Sequence, residues 1–289
     1  MLKIRVIGVL VVKDGIVVQS INFKRYLPVG KPSIAVEYLN RWGIDEIALL
    51  DISATPEQRA PDHTKIREYS KYCQVPLAVG GGIRSLADID NVIRSGADKV
   101  IINSAAIETP SLITEGAKHY GVQCIVVSID ARRVESRGYK VFTHSGKRAT
   151  DYAPMEFARI AEAHGAGEIL LTSIDRDGSK QGHDVGLIRE VAGAVNIPVI
   201  ACGGVGYPKH LLEGIHAGAT AVAAANFFHY TEHSIIVAKR YLKSAGAPVR
   251  LDTYATYDGF AFDENERAAK VGDAILEKLR FEYLPEEVI

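Results

Sequence analysis

Short apolar runs alternate with longer amphipathic segments along most of the chain. The strand candidates lie at 4–12, 46–52, 76–81, 99–103, 124–130, 168–174, 198–204 and 221–225. Between most of them, segments such as 33–43, 85–96 and 154–165 repeat apolar residues at helical spacing. Strands that are almost entirely apolar, separated by helices, are typical of a parallel sheet covered on both faces. Eight such repeats predict an α/β protein with a closed (β/α)₈ TIM barrel.

The chain also repeats itself at a fixed offset of 122 positions. The segment VPLAVGGGIRS at 75–85 recurs as IPVIACGGVG at 197–206, with its glycines in step. The segment SGADKVIINSAA at 95–106 recurs as AGATAVAAANFF at 217–228. We therefore expect two half-barrels of four βα units each.

The repeating pattern ends after Leu251. We expect the barrel to occupy residues 1–251 and residues 252–289 to form a C-terminal extension with one helix at 264–281. The plainest interpretation of the extension is a packed or frayed tail, and the alternative is a lid or a partner-docking element.

Composition excludes several function classes. A net charge of -1 gives no basic surface for nucleic acid. No window reaches the roughly 18 consecutive apolar residues of a membrane span, and the first residues lack a signal-peptide cleavage pattern. Cys73, Cys124 and Cys202 have no CxxC spacing, which favours reduced thiols in a cytoplasmic protein. We expect no metal and no cofactor.

Glycines and small polar residues follow four of the predicted strands, at the barrel end that carries the active site in this fold. One candidate phosphate site comprises Gly81, Gly82, Asn103 and Ser104, and the repeat gives a second from Gly203, Gly204, Ala225 and Asn226. Glycines let backbone amides approach an anion closely, although they also simply permit tight turns. The ligand would carry two anionic groups, or one anionic group and a second polar end. Asn226 lacks the small hydroxyl of Ser104, so the second site is expected to be altered.

Several motifs together resemble one family. VGGGIRS, ADKVIINSAA, QCIVVSIDARR, GAGEILLTSIDRDG and IPVIACGG are similar to the HisF family, the cyclase subunit of imidazole glycerol phosphate synthase, and the resemblance covers residues 3–251. It implies a subunit that receives ammonia from a HisH-like glutaminase partner through the barrel. That ammonia is used to cleave and cyclise a phosphoribosyl intermediate of histidine biosynthesis.

The resemblance also implies roles for residues in the predicted barrel mouth. Asp130, at the end of CIVVSID, matches the catalytic aspartate of the family, and a carboxylate at a strand end can act as a general base. Asp177 matches a second acidic residue beside the other phosphate, with Gly178 next to it. Thr172 and Asp51 match polar residues that line the cavity.

A second implied feature is an ammonia gate at the opposite, amino-terminal end of the barrel. It is a ring of charges matched by Arg5, Glu46, Lys99 and Glu168, each at the start of its strand. Asp98 matches a position at which the family contacts its glutaminase. Buried charges are costly unless paired, so a purely structural ion cluster is the alternative interpretation.

The chain departs from the family in the first βα unit. Arg5 and Val11 lie six positions apart, so in a regular strand both face the barrel interior, Arg5 at the closed end and Val11 at the open end. The family has an aspartate in place of Val11, as the partner acid of the Asp130 carboxylate. Losing one member of an acid–base pair typically costs about 10²- to 10⁴-fold in rate. The loop lysine of the family is Gln19 here, and a divergent loop, NFKRYLPVGKPS, follows at 22–33.

This pattern resembles a HisF-like paralogue group associated with acetamidino modification of surface sugars. The expected function is transfer of ammonia to a phosphate-bearing sugar or nucleotide sugar. One alternative is the ordinary histidine-pathway cyclase, with another group replacing the missing aspartate. The other is a non-catalytic subunit that activates the glutaminase and channels ammonia to another enzyme.

Overall fold

The structure is a computed structural model that describes residues 3–135, 138–231, 233–253, 261–264, 266–269 and 272. Its strands in chain order are β1 (Arg5–Lys13), β2 (Ile16–Ile21), β3 (Arg25–Gly30), β4 (Glu46–Asp51), β5 (Leu77–Gly80), β6 (Lys99–Ile102), β7 (Ile125–Val134), β8 (Gly138–Thr143), β9 (Arg148–Ala149), β10 (Glu168–Ser173), β11 (Val199–Cys202) and β12 (Ala221–Ala224). Its helices are α1 (Pro32–Arg41), α2 (His63–Ser70), α3 (Leu86–Arg94), α4 (Ser104–Glu108), α5 (Ser111–Tyr120), α6 (Pro154–Ala163), α7 (Val185–Ala192), α8 (Pro208–His216) and α9 (Ser234–Ser244).

Eight of the described strands pair in parallel and close into a barrel. The order is β1, β4, β5, β6, β7, β10, β11 and β12, and β12 returns to pair with β1. Strands β5 and β12 are buried at every position, which accounts for their unbroken apolar sequences. The prediction of a TIM barrel is therefore confirmed, and the eight predicted strands lie where the apolar runs indicated.

The core has two parts. The larger lies between the strands and the surrounding helices, and the smaller fills the barrel interior with residues such as Ile7, Ala48, Ala78, Val126 and Ile200. Alanines and branched side chains from all eight strands pack together in this interior. Each end of the barrel is therefore a separate polar environment.

Two antiparallel hairpins rise from the open end of the barrel, and neither was predicted. β2 and β3 pair with each other, and β2 pairs with the end of β1, so half of segment 22–33, residues 25–30, is a strand instead of the expected loop. The other hairpin joins the extended end of β7 to β8 and β9. These hairpins form the walls of the open end.

The helix expected at 264–281 is wrong at its start. Phe262 forms an antiparallel bridge with Ala268, and the Asp263 carboxylate accepts a hydrogen bond from the Arg267 N–H at 2.9 Å. An aspartate that captures a nearby N–H offers the backbone an alternative to the helix. The rest of the expected helix, apart from Gly272, lies outside the described residues. Among the described helices, none combines the length and apolar character that crossing a membrane requires.

Candidate active site

A cavity of about 740 Å³ opens at the carboxyl ends of the barrel strands. The barrel contributes the side chains of Val11, Leu50, Asp51, Asn103, Asp130, Thr172 and Cys202 to its wall. The hairpin of β2 and β3 contributes Ser20, Phe23 and Tyr26. The four residues assigned to catalysis from the sequence, Asp130, Asp177, Thr172 and Asp51, therefore line one cavity.

Asp130, on β7, is the titratable group best suited to proton transfer in this cavity. Burial, followed by the negative charge of Asp177, raises the pKa of the Asp130 carboxyl to about 7. Hydrogen bonds from Ser128 and Asn103 act in the opposite direction, and the Asn103 Nδ2 lies 3.2 Å from the Asp130 Oδ2. A group whose pKa lies near neutral pH can both accept and return a proton.

Asp177 holds the first hairpin against the barrel. Its Oδ2 accepts hydrogen bonds from the Ser20 hydroxyl at 2.6 Å and the Phe23 N–H at 3.1 Å, and its carbonyl oxygen accepts one from the Asn22 N–H at 3.0 Å. Burial raises the pKa of Asp177, although these donors oppose the rise. Asn22 and Phe23 have φ values of 55° and 56°, which non-glycine residues seldom adopt. The three hydrogen bonds fix this tight turn over the cavity.

Val11 lies in the cavity wall beside these carboxylates. It pairs in register with Leu50 of β4 and is partly buried. The structure thus places an apolar group at the open end of the interior face that begins with Arg5. Neither Val11 nor Leu50 can exchange a proton, so Asp130 has no carboxylate partner from β1 or from this position of β4.

The other two residues assigned to catalysis are already engaged with the protein. The Asp51 Oδ2 lies 3.0 Å from the Arg59 Nη2, and the Asp51 Oδ1 accepts from the Ser53 N–H at 3.0 Å. Thr172 is buried and forms a hydrogen bond with Cys202. Burial, followed by the charge of Asp177, raises the pKa of the Cys202 thiol to about 12. This thiol is therefore a poor nucleophile at neutral pH.

The first candidate phosphate site opens into the cavity. Gly81, Gly82, Asn103 and Ser104 all line it. Gly81 has a φ of 112°, and a Cβ there would lie 2.2 Å from the Asp51 carbonyl oxygen, so only glycine fits. The Ser104 hydroxyl accepts from the His144 N–H at 3.1 Å and donates to the Asn103 Oδ1 at 3.2 Å.

The second candidate phosphate site keeps the backbone geometry of the first. Gly203 has a φ of 97°, and a Cβ there would lie 2.9 Å from the Ser173 carbonyl oxygen. Asn226, however, donates from its Nδ2 to the Ser20 carbonyl oxygen at 2.7 Å. Of this second set, comprising Gly178, Gly203, Gly204, Ala225 and Asn226, only Ala225 lines the cavity among the described residues.

Sequence reasoning missed several polar residues of the cavity wall. Tyr26 is one of them: its hydroxyl donates to the Phe23 carbonyl oxygen at 3.0 Å, and burial, then Asp177 and Asp130, raise its pKa. Arg84, His144 and Arg148 are others. The β2–β3 hairpin had no clear signal in the sequence, since IVVQSI carries three adjacent apolar residues and does not alternate between apolar and polar positions.

The four charges predicted for the closed end form a continuous ring. The Arg5 guanidinium lies 2.6 Å from Glu46 and 3.0 Å from Glu168, and the Lys99 Nζ lies 2.9 Å from Glu46 and 3.1 Å from Glu168. Burial works against the Arg5 charge, but the carboxylates of Glu168 and Glu46 outweigh it and raise the Arg5 pKa. We call these four residues the charge ring.

Asp98 lies beside the charge ring on the surface. Its side chain is exposed, and its Oδ2 accepts from the Leu77 N–H at 2.8 Å. Lys99, the next residue, belongs to the ring. The structure thus places Asp98 at the barrel end where the sequence predicted contact with a partner.

Comparisons with known proteins extend over nearly the whole barrel. The family model described as histidine biosynthesis protein matches residues 5–234. The chain is 45% identical over 264 residues to the putative imidazole glycerol phosphate synthase subunit hisF2 of Vibrio vulnificus, covering 91% of this chain and 97% of that protein. It is 50% identical over 254 residues to the imidazole glycerol phosphate synthase subunit HisF of Dehalococcoides mccartyi, covering 87% of this chain and 100% of that protein.

Proposed function

The chain belongs to the HisF family of histidine biosynthesis proteins, and from that premise we propose that it is the ammonia-accepting synthase subunit of a glutamine amidotransferase complex. The observation that carries this proposal is the position of Asp130. Its carboxyl, with a pKa of about 7, faces a cavity at one end of a barrel whose other end is the charge ring. A proton-transfer group is thus held where ammonia from the far end would meet a substrate.

In this proposal the glutaminase binds at the closed end of the barrel. The relatives are named as subunits of imidazole glycerol phosphate synthase, and we propose a HisH-like glutaminase as the partner. Exposed Asp98 and the neighbouring charge ring would lie against it. The ring is closed by ion pairs, and the Arg5 side chain remains 27% exposed, so the ring borders the surface at which ammonia would enter.

The substrate binds at the open end through its phosphate. Gly81, Gly82 and Ser104 border the cavity with backbone amides and one hydroxyl, a combination suited to phosphate oxygens. Asp130 then faces the reacting part of the substrate. It would take a proton from the attacking ammonia and return one to the leaving oxygen.

Two reactions fit this scheme. The names of the relatives favour the cyclase reaction of imidazole glycerol phosphate synthase in histidine biosynthesis. A second candidate, favoured by Val11, is addition of ammonia to an acetamido group of a phosphate-bearing sugar or nucleotide sugar. Amidine formation joins ammonia to the acetamido carbon and releases the carbonyl oxygen as water, with no ring closure. One carboxyl group, Asp130, can take the protons from ammonia and give them to the leaving oxygen in this reaction.

A direct assay discriminates the two reactions. The purified chain would be incubated with ammonium salts and either the histidine-pathway intermediate or a set of uridine-diphosphate N-acetyl sugars, and product masses followed. The cyclase reaction is assigned if the intermediate is converted to product and if this chain restores growth to a strain that lacks the cyclase. A mass change on a sugar, without complementation, assigns acetamidino formation.

A third outcome would reduce the proposal to ammonia delivery alone. If Asp130→Asn retained full synthetic activity of the complex, the chain would channel ammonia to another enzyme without chemistry of its own. Glutamine hydrolysis by the partner serves as the control, because it reports complex formation independently of the open end.

A further inference from the structure

Helix α9 carries a lysine on its buried face. Lys239 lies one helical turn from both Ile235 and Leu242 on that face, and its side chain is only 1% exposed. Burial lowers the pKa of the Lys239 ammonium, and the Asp45 carboxylate opposes that change. An ammonium group is costly to remove from water, so the contacts at the end of this side chain must compensate for its burial.

The end of the Lys239 side chain reaches the closed end of the barrel. Its Nζ donates to the Asp45 Oδ1 at 2.7 Å and to the Gly43 carbonyl oxygen at 2.6 Å. The Asp45 side chain is also buried, at 5% exposure. Asp252 and Arg250 act on the Lys239 charge in opposite directions and more weakly than Asp45 does. Lys239 and Asp45 therefore form a buried ion pair between α9 and the residue that precedes β4.

Asp45 is also bonded to the start of β1. Its Oδ2 accepts from the Val6 N–H at 2.7 Å, and its own N–H donates to the Val6 carbonyl oxygen at 3.0 Å. Val6 follows Arg5 in β1, and Glu46 follows Asp45 in the chain. Successive side chains of a strand point to opposite faces, so Asp45 bonds on the helix side while Glu46 points inward. The two strand starts joined in this way carry the Arg5 and Glu46 side chains that meet at 2.6 Å.

The residue before Arg5 is anchored to the same part of the fold. Ile4 forms a parallel bridge with Val249, and its N–H donates to the Pro248 carbonyl oxygen at 2.9 Å. Both partners belong to the segment that follows α9. Arg5 therefore lies between two residues, Ile4 and Val6, whose backbone is tied to α9 or to the chain that leaves it.

A similar contact beside Lys99 shows what the buried lysine adds. The Asp98 Oδ2 accepts from the Leu77 N–H at 2.8 Å, and the Asp98 N–H donates to the Leu77 carbonyl oxygen at 2.8 Å. Asp98 is exposed, however, and within the part of the chain that the structure describes it forms no ion pair. A carboxylate alone can thus join two strand starts. The link to a helix through Lys239 belongs to the Arg5 side of the charge ring.

We propose that Lys239 and Asp45 are positioning residues of the charge ring, which hold Arg5 against Glu46 from outside the barrel. Neither residue touches ammonia or substrate. Without the ammonium group, the Asp45 carboxylate would be left buried beside no cation, a costly arrangement that is relieved when it turns toward water and releases Val6. The Arg5–Glu46 contact would then widen. The consequence for ammonia rests on the proposed function, because the ring is where ammonia would enter.

Hydrogen exchange tests the geometry without any turnover. Lys239→Met keeps an unbranched side chain of similar length but carries no charge. The Val6 amide should exchange about tenfold faster or more in this variant, while the Leu77 amide, bonded to Asp98 in the same way, should change less than about twofold. Residue-resolved exchange measured by NMR on the whole chain gives both values. Equal changes at Val6 and Leu77 would overturn the inference, because a pair that merely stabilised the fold would affect both amides.

Nitrogen labelling tests the consequence for ammonia. In a complex with a HisH-like glutaminase, Lys239→Met should lower product labelling from amide-¹⁵N glutamine by about fivefold or more, because small displacements remote from the chemistry can lower rates strongly. Labelling from ¹⁵N ammonium should stay within about twofold. Lys209→Met, at an exposed position of α8, is the matched control and should change neither. A proportional fall from both sources would overturn the inference, since loss of folded protein produces that result.

Asp45→Asn is the second variant, used if Lys239→Met does not fold. It keeps the shape of the side chain but has one acceptor oxygen in place of two, so it cannot serve both Lys239 and Val6. The same selective acceleration at Val6 is expected, and its absence would overturn the inference. If Val6 responds selectively but the unmodified complex incorporates nitrogen from neither source, the proposed function falls and the positioning of the ring stands.

Discussion

The two ends of the barrel hold charge in opposite ways. At the closed end, the carboxylates of Glu46 and Glu168 each contact Arg5 and Lys99 at 2.6–3.1 Å. At the open end, Asp130 and the neighbouring Asp177 form no ion pair with a residue that the structure describes, and burial raises the pKa of both. Opposite charges hold one another at the closed end, whereas the buried Asp130 carboxyl, with a pKa of about 7, changes protonation near neutral pH.

This difference assigns separate tasks to the two ends. An ion-paired ring suits passage and partner binding, because each of its charges is held by an opposite charge. A titrating carboxyl suits chemistry. Val11 adds no carboxyl to the cavity wall, and the Asp51 carboxylate pairs with Arg59. Among the described cavity residues of β1, β4 and β7, Asp130 is therefore the carboxyl without an arginine partner.

The largest expected effect is at the open end. Asp130→Asn keeps the shape of the side chain but cannot carry a proton, so ammonium-driven turnover should fall by about 10²- to 10⁴-fold. Turnover with saturating ammonium measures this. Asp90→Asn, on α3, whose carboxylate contacts Tyr120 and Arg94, is a matched control and should retain full turnover. Equal turnover of Asp130→Asn and Asp90→Asn would show that the open end does not use this carboxyl.

At the closed end the expected effect is on stability. Glu168→Gln removes one carboxylate from the charge ring and leaves Arg5 and Lys99 sharing Glu46, which should lower the free energy of unfolding by about 3 kcal/mol. Denaturant unfolding measures the change. Glu37→Gln breaks an exposed pair with Arg41 and should cost about 0.5 kcal/mol or less. Equal costs would mean that the ring contributes no more than a surface ion pair.

The pH dependence of stability should also differ between the ends. The pKa of Asp130 is about 7 in the folded chain against an ordinary value of 3.8, so its neutral form stabilises the fold fully below about pH 3.8. That contribution is lost as the pH rises through 7. Asp130→Asn never ionises, so its stability relative to the unmodified chain should rise by about 2 kcal/mol or more between pH 4 and pH 8. A constant difference would contradict the raised pKa.

The barrel could be predicted from the sequence because its signals lie within single strands and the turns that follow them. Strands buried on both faces must be apolar, and Gly81 and Gly203, just after β5 and β11, lie where a side chain would collide with backbone. The charge ring could be predicted through its position at four strand starts, once a family resemblance singled these residues out.

The first hairpin could not be predicted in the same way. Its turn uses Asn22 and Phe23 in place of the asparagine–glycine pair that usually marks such turns, and β3 contains Pro28. The turn is held instead by Asp177, more than 150 residues away, and Asn226 donates to Ser20 across 206 positions. Contacts of that kind exist only after the barrel closes. They hold the hairpin that brings Tyr26 into the cavity wall.

The most direct test follows nitrogen from one end of the barrel to the other. The chain would be combined with a HisH-like glutaminase and its acceptor, and supplied with either amide-¹⁵N glutamine or ¹⁵N ammonium. In the unmodified complex both sources should label the product. In Glu168→Gln, labelling from glutamine should fall at least tenfold while labelling from ammonium stays within about twofold, because free ammonium reaches the open end without the ring. An equal fall from both sources would contradict a barrel that receives ammonia at one end and uses it at the other.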